Sequence, residues 1–332
     1  MKSRFVTYQR LARCVALLAT WSAGGCVIAV SPGDLFGSGQ ALEEHVLEGS
    51  GAKKILLIDI SGFIGDRPDS QAFGLRSTPS LLERTQAQLE KAGDDDDIAA
   101  VVLRINSPGG GVTASDELFG RLEAFRTRSG LPLVAALGTV ATSGAYYAAC
   151  AADRIVAHPT TITGSIGVIL PTVSAEGLLD KVGIRNETYT AGRNKDLLSP
   201  LREATPDQRE IVQRLLDGMH ARFLAVVTQN RPDLASARLD AIGDGRIFGA
   251  GEALELGLVD QIGRLHDAIA LARSLAGVEQ ARVILYTRGG GNPQSVYAAA
   301  ATPAGQSPLH PALSGSTRPR GALYLWPEGL GL

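Results

Sequence analysis

Short apolar runs alternate with helix-periodic segments through the middle of the chain. Four of these runs have the length and composition of strands buried on both faces, namely residues 55–60, 99–105, 131–137 and 154–157. Apolar positions recur at helical spacing in the segments that accompany them, namely residues 80–92, 113–128 and 144–151. This alternation predicts an α/β domain with a mainly parallel sheet and surrounding helices.

The pattern changes towards the C-terminus. Pro206 to Asn230 has the spacing of one long amphipathic helix, and the periodic pattern continues to about residue 285. Residues 287–332 are rich in Gly, Pro, Ser and Ala, which predicts a flexible tail. Within it, the apolar segment Ala322 to Pro327 is expected either to pack as an edge strand on its own domain or to dock on a neighbouring subunit or near a substrate groove.

The N-terminus is typical of an exported protein. Basic residues precede an apolar stretch from Cys14 to Gly25, and small residues lie directly before Cys26. This predicts a lipoprotein signal over residues 1–25 with Cys26 lipidated, while an uncleaved anchor and an ordinary cleaved signal are the alternatives. All three put the rest of the chain on the outer side of a bacterial membrane. Residues 26–53 read as a tether.

Charge and cysteine content exclude several functions. The net charge is −2, from 32 basic and 34 acidic residues, which does not suggest nucleic-acid binding. No Cys-x-x-Cys pair is present, so no metal is expected, and Cys150 is interpreted as a small buried apolar residue. The acidic run Asp94 to Asp97 lacks the spacing of a calcium loop and is interpreted as a solvated loop.

Two loops that follow predicted strands carry candidate chemistry. Asn106 to Gly111 is a glycine-rich loop without the lysine of a phosphate loop, so it is either an oxyanion hole or a tight turn. Ser143 follows another strand and opens a helix, as expected of either a nucleophile or an N-cap residue.

A nucleophilic serine needs a base, and none of the five histidines lies in an obvious motif. His158 precedes a proline at a strand end and is interpreted as structural. A lysine can serve as the base when burial lowers its pKa. Lys195 is the candidate, with surface charge as the alternative.

Six sequence blocks resemble the signal peptide peptidase A family, whose members are bacterial serine peptidases with a Ser–Lys dyad. The resemblance covers residues 54–272 and rests on the blocks Ile105–Gly110, Ser143–Tyr147, Thr163–Val168, Gly192–Asp196, Asp244–Phe248 and Leu256–Asp260, which occur in the family's order. It implies a fold similar to Clp protease and the crotonases. It also implies that a single peptidase domain spans residues 54–286.

The resemblance assigns roles to four residues. Ser143 matches the nucleophile and Lys195 the base, at the separation found in the short members of the family. Gly110 matches the glycine whose backbone N–H lines the oxyanion hole, and Ser165 matches the serine that binds the lysine amine. Ala145 departs from the family pattern, which usually has glycine there.

The function expected from this resemblance is a membrane-anchored endopeptidase that degrades membrane-associated peptides, such as remnant signal peptides. The family also implies a ring-like homo-oligomer and no cofactor. A crotonase-like acyl-transfer enzyme and a catalytically silent membrane scaffold are the alternatives.

Overall fold

A computed structural model describes residues 41–66, 69–71, 76–288, 293–298 and 323–325. The predicted signal, Cys26 and most of the predicted tether lie outside these residues. In the part of the chain that the structure describes, no helix has the length and apolar character needed to cross a membrane.

Strands and helices alternate through the centre of the chain, as the sequence pattern predicts. The strands are β1 (Leu42–Gly49), β2 (Lys54–Ser61), β3 (Asp69–Gln71), β4 (Arg76–Thr78), β5 (Ile98–Ser107), β6 (Gly109–Gly111), β7 (Leu133–Thr142), β8 (Arg154–Ala157), β9 (Ile162–Gly164), β10 (Ile247–Gly249), β11 (Gln261–Ile262), β12 (Arg282–Arg288) and β13 (Leu323–Leu325). The helices are α1 (Leu81–Gly93), α2 (Val112–Ser129), α3 (Gly144–Ala149), α4 (Glu176–Lys181), α5 (Pro206–Asn230), α6 (Leu239–Ile242), α7 (Ala250–Glu255) and α8 (Leu265–Leu275).

The main sheet has the strand order β1-β12-β2-β5-β7-β8-β11, and β9 and β10 extend it from β7. The central pairs β2–β5, β5–β7 and β7–β8 are parallel, whereas β1–β12 and β9–β10 are antiparallel. Two separate two-stranded sheets consist of β3 with β4 and of β6 with β13. The predicted α/β fold with a mainly parallel sheet is therefore confirmed.

Both faces of the main sheet are covered at its centre, which explains why the central strands β2, β5 and β7 are largely apolar. On one face, Leu56 and Ile58 of β2 belong to the apolar core that also contains residues of α1, α2, α3 and α5. On the other face, Ile55 and Leu57 pack in a smaller core with Ala268 and other residues of α8.

The first strand differs from the prediction. Leu42–Gly49 lies in the stretch interpreted as a tether, but the structure pairs it with β12 at the edge of the main sheet. Its sequence contains three glutamates, and most of its side chains are partly or fully exposed, so it lacks the apolar run that marks the central strands. Charged side chains are common on edge strands because they discourage pairing with other chains.

Candidate active site

Two of the candidate residues, Gly110 and Ser143, come from loops at the carboxyl ends of neighbouring parallel strands, where binding sites of α/β sheets are usually found. The glycine-rich loop follows β5, and Ser143 follows β7. The hydroxyl of Thr142 donates a hydrogen bond of 3.2 Å to the carbonyl of Pro108. This bond fixes the turn before Ser143 relative to the glycine-rich loop.

Ser143 occupies a strained turn between β7 and α3. Its backbone has φ of 53° and ψ of −118°, a conformation that residues with a side chain rarely adopt. Its N–H donates to the carbonyl of Gly164 at 2.7 Å, and its carbonyl accepts from the N–H of Tyr147 at 2.9 Å. A nucleophilic serine in α/β hydrolases sits on a turn of this kind, because a sharp strand-to-helix turn presents the hydroxyl.

The Ser143 side chain makes no capping hydrogen bond with the helix it precedes. The N-cap interpretation therefore does not account for the serine at this position. Its exposed fraction is only 1%. A conformation that is strained, held by backbone bonds and not used for capping is typical of a functional site.

Gly110 belongs to a strand that leaves no room for a side chain. A Cβ atom at this position would lie 2.0 Å from the carbonyl oxygen of Ile64. Ile64 donates its N–H to the carbonyl of Gly109 at 2.9 Å and accepts from the N–H of Gly111 at 3.0 Å. The loop is thus a short strand anchored along one edge and not a tight turn.

The other edge of β6 carries the backbone groups of Gly110. Successive backbone N–H and C=O groups of a strand point to opposite edges. Because Gly109 and Gly111 use their groups to bind Ile64, the N–H and C=O of Gly110 face the opposite edge. An N–H directed in this way is the type of donor that an oxyanion hole needs.

Residues 323–325 lie on that opposite edge. They form β13, which pairs antiparallel with β6 so that Tyr324 is opposite Gly110, Leu323 opposite Gly111 and Leu325 opposite Gly109. Strand β13 also contacts α2 and α3. An extended segment of the chain's own C-terminal region therefore borders the candidate site.

Ser165 follows β9, which pairs with the last residues of β7. Its φ is 52°, its N–H donates to the carbonyl of Arg246 at 2.7 Å, and its side chain is buried. The preceding residue, Gly164, supplies the carbonyl that holds the N–H of Ser143. The structure thus brings the Ser165 backbone close to the Ser143 turn.

Lys195 is not brought into hydrogen-bonding contact with Ser143. It lies in a turn, and its exposed side chain makes no hydrogen bond or ion pair with the residues that the structure describes. Arg202 binds the neighbouring Asp196 at 2.6 Å and lowers the pKa of that carboxyl. This ion pair anchors the loop that carries Lys195.

Apolar side chains are exposed along the stretch that leads to Lys195. They include Val173, Leu178, Val182, Ile184 and Tyr189, and Tyr189 is 90% exposed. Several exposed apolar side chains along one stretch are typical of a surface that another molecule covers.

Cys150 and His158 agree with their structural interpretations. Cys150 is buried, and burial raises the pKa of its thiol to about 12. The ring of His158 forms a hydrogen bond of 2.8 Å with Thr160, two residues along the chain. Neither side chain forms a hydrogen bond with Ser143.

Ile64 is the part of the site that the sequence analysis missed. Its contribution is made by backbone atoms, which any residue type has, so its side chain carries no signal. A positional signal was nevertheless available, since Gly62 to Gly65 follows β2 and the carboxyl ends of β2 and β5 lie side by side.

Sequence comparison connects the chain with known peptidases. Residues 126–279 match the model of Peptidase family S49. A putative signal peptide peptidase SppA of Enterococcus faecium is 33% identical over 251 residues, which cover 76% of this chain and 72% of that protein. A putative protease of Synechocystis sp. is 37% identical over 235 residues, covering 71% of this chain and 79% of that protein.

Structure comparison finds similarity to a point mutant of ClpP1 from Listeria monocytogenes. The sequences are 16% identical, the TM-score is 0.41, and the match covers 64% of this chain and 94% of the other.

Proposed function

This chain belongs to the signal peptide peptidase A family of serine peptidases, and we propose that it cleaves peptides with Ser143 as the nucleophile and Lys195 as the general base. The observation that carries this proposal is the strained turn at Ser143, which lies beside a glycine strand whose Gly110 N–H points to the edge opposite Ile64. The family assignment to peptidases removes the acyl-transfer alternative.

In the proposed reaction the substrate lies extended along β6 with its scissile carbonyl at the N–H of Gly110. The Ser143 oxygen attacks the carbonyl carbon while its proton passes to the neutral amine of Lys195. The N–H of Gly110 stabilises the oxyanion, and the protonated lysine then gives a proton to the departing amine. Water hydrolyses the resulting acyl-enzyme by the same steps, which releases the acid and restores both residues.

The lysine must approach Ser143 for this reaction, and we infer that self-association brings it there. Lys195 is exposed and unpaired among the described residues, on a stretch whose apolar side chains are exposed to solvent. A second copy of the chain would bury those side chains and place the loop of Lys195 beside its own Ser143 turn. The dyad would then be complete only in a homo-oligomer.

The substrates we propose are apolar, membrane-associated peptides, such as remnant signal peptides, outside the cytoplasm. The basic and apolar N-terminal stretch and the small residues before Cys26 support this location. Lipidation of Cys26 would attach the chain to the membrane, and two acyl chains are needed for stable attachment. The intact mass of the mature protein tests this part, because a chain that begins at Met1 would exclude lipidation at Cys26.

Hydrolysis of an apolar fluorogenic peptide tests the dyad. We expect Ser143→Ala and Lys195→Ala each to lower kcat by at least about a thousandfold, with little further loss in the double variant, because the two residues act as a unit. Lys181→Ala is the matched control, since Lys181 is an exposed lysine of the same stretch. Near-normal turnover by Lys195→Ala would exclude Lys195 as the base.

Mixing the Ser143→Ala and Lys195→Ala variants tests whether the lysine of each dyad comes from the same chain as the serine or from a neighbouring copy. If Lys195 reaches the Ser143 of a neighbouring copy, randomly mixed oligomers recover about a quarter of the wild-type activity. No recovery after subunit exchange, verified by mass, would show that the dyad forms within one chain.

A further inference from the structure

A carboxylate on helix α2 joins the two chain segments that carry the candidate residues of the active site. Helix α2 begins at Val112, directly after the glycine strand β6, and α3 begins directly after Ser143. Asp116 of α2 accepts a hydrogen bond from the hydroxyl of Tyr147, which lies in α3. We propose that this bond makes Asp116 a positioning residue, which sets where the Gly110 N–H lies relative to Ser143. The inference rests on the proposed roles of Ser143 and Gly110.

Tyr147 is tied to the Ser143 turn through its backbone and to helix α2 through its side chain. Its N–H donates to the carbonyl of Ser143 at 2.9 Å, one helical turn earlier in the chain. Its ring is buried and meets Phe119 of α2 edge to face, with 5.5 Å between the ring centroids. A shift of Tyr147 would therefore also shift the turn that presents the nucleophile.

The hydroxyl of Tyr147 gives this contact a defined distance and direction. Apolar packing is non-directional, so the rings alone would allow α3 to slide against α2. A hydrogen bond to a carboxylate is short and restricted in angle. The bond between Tyr147 and Asp116 thus fixes the two helices more closely than ring packing can.

A guanidinium of the long helix α5 holds the Asp116 carboxylate in the orientation that Tyr147 needs. Arg222 donates from Nε and Nη2 to the same oxygen, Oδ1, at 3.2 and 3.0 Å. The Tyr147 hydroxyl donates to this oxygen as well. Phe223, the next residue of α5, packs on the Tyr147 ring with 4.9 Å between the centroids. Helices α2, α3 and α5 therefore meet at one charged oxygen.

The exposure of the ion pair separates a role in positioning from a role in stability. The side chains of Asp116 and Arg222 are 43% and 56% exposed, and ion pairs so close to solvent contribute little to stability. A displacement of 1 Å between reacting groups, in contrast, can lower a rate by about a hundredfold. Loss of the Asp116 carboxylate should therefore affect turnover much more than folding.

Three substitutions test the inference by hydrolysis of an apolar fluorogenic peptide. We expect Asp116→Ala to lower kcat about thirtyfold and to change KM less than about twofold, because the groups that react are misplaced while the strand that binds the peptide remains. Tyr147→Phe keeps the ring packing and loses only the hydroxyl, so a similar loss is expected. Asp116→Asn keeps an acceptor oxygen, and we expect its kcat to stay within about threefold of the wild type.

Glu117→Ala is the matched control on the same helix. Glu117 is the residue next to Asp116, and it pairs with Arg121 of α2 itself at 3.5 Å. Its ion pair does not join α2 to another helix. We therefore expect its kcat and KM to equal those of the wild type.

A second background distinguishes positioning from a general weakening of the fold. Gly110→Ala displaces the N–H that Asp116 is proposed to place. Effects of residues that act as a unit do not add, so in the Gly110→Ala chain we expect Asp116→Ala to lower kcat by less than about threefold more. A weakened fold would instead lower kcat by the same factor in both backgrounds.

Several results would overturn the inference. They are a kcat of Asp116→Ala equal to that of Glu117→Ala, equal losses in Asp116→Ala and Asp116→Asn, and an undiminished loss in the Gly110→Ala background. If Asp116→Ala does not fold, Tyr147→Phe decides the question, and an unchanged kcat in that variant would overturn the inference. Absence of any peptide hydrolysis by the wild type would instead refute the proposed function itself.

Discussion

The positions of Ser143 and Gly110 in the candidate site are set by backbone geometry more than by side-chain contacts. The φ of Ser143 is positive, and Gly110 passes so close to Ile64 that only a glycine fits. Strain of this kind persists only where the surrounding structure holds it, and the hydrogen bonds to Gly164 and Ile64 provide that support. The proposed nucleophile and the proposed oxyanion donor are thereby held in place by the fold itself, which is the preorganisation that catalysis requires.

Substitution of the two adjacent glycines tests this dependence. Gly110→Ala places a methyl group 2.0 Å from the Ile64 carbonyl oxygen, so the strand must move and its N–H must turn away. We expect kcat to fall by about a hundredfold or more, the loss typical of a missing oxyanion donor. In Gly111→Ala the nearest atom is Ala114 Cβ at 3.8 Å, which is an ordinary contact, so a much smaller loss is expected. Equal kcat values for the two variants would contradict the assignment of Gly110.

The pH dependence of folding stability tests the burial of the Cys150 thiol. Because burial raises the pKa of its thiol to about 12, the thiol stays protonated in the folded chain at pH values where it ionises in the unfolded chain. Folded stability should therefore fall as the pH rises above about 9, the ordinary pKa of the thiol. Between about pH 8 and about pH 10, we expect Cys150→Ala to lose about 1 kcal/mol less stability than the wild type. Urea unfolding measures this difference, and an identical pH dependence of both chains would contradict it.

The residues alone pointed to Ser143 and to the glycine-rich loop, because glycines and strand-to-helix junctions mark special backbone, whereas the candidate roles of Gly110 and Ser165 came from the family resemblance. The sequence analysis missed Ile64, whose contribution comes from its backbone and which is marked in the sequence by its position after β2 and not by its residue type. It also could not show where the Lys195 side chain lies, because the position of an exposed loop depends on what packs against it. The role of Lys195 remains a prediction from family resemblance.

At the scale of elements, a buried ion pair connects the long helix to the sheet. Arg231, at the end of α5, is bound to Asp260 at 3.0 Å, and its side chain is only 3% exposed. It also donates to the carbonyl of Gly257, while Asp260 accepts from the N–H of Ile155 in β8. The pair therefore fixes the end of α5 and the start of β11 against β8.

Loss of one partner should leave the other charge buried and uncompensated. We expect Arg231→Ala to lower the free energy of unfolding by about 3–5 kcal/mol. Arg214→Ala is the control, because Arg214 pairs with Glu210 on the exposed side of the same helix, and we expect it to cost less than about 1 kcal/mol. Denaturant unfolding of both variants measures the difference. Similar losses of unfolding free energy would show that the buried pair stabilises the fold no more than the exposed pair does.

Most central elements could be predicted from the sequence, whereas the pairing of β1 and of β13 could not. Strands β2 and β5 contain long apolar runs because both sheet faces are covered, and such runs are easily recognised in a sequence. Apolar and polar residues alternate irregularly in β1, which is rich in glutamate, so its sequence could not be distinguished from that of a tether. The apolar residues around β13 were recognised, but their pairing with β6 depends on contacts between residues more than 200 positions apart.

At the scale of the whole molecule, the chain contains a serine at a preorganised position, a lysine on an exposed loop and a C-terminal segment on the edge proposed for substrate. The first two features agree with the proposed dyad, which self-association would complete. The exposed apolar side chains between residues 173 and 189 supply the surface that such an assembly would bury.

Covalent labelling by a serine-reactive phosphonate, located by mass spectrometry, tests the Ser–Lys dyad most directly. We expect a single adduct on Ser143 in the wild type and in Lys181→Ala, and labelling slowed by at least about a hundredfold in Lys195→Ala, because the serine then lacks its base. An adduct on a different serine, or labelling of Ser143 at an unchanged rate in Lys195→Ala, would contradict the dyad.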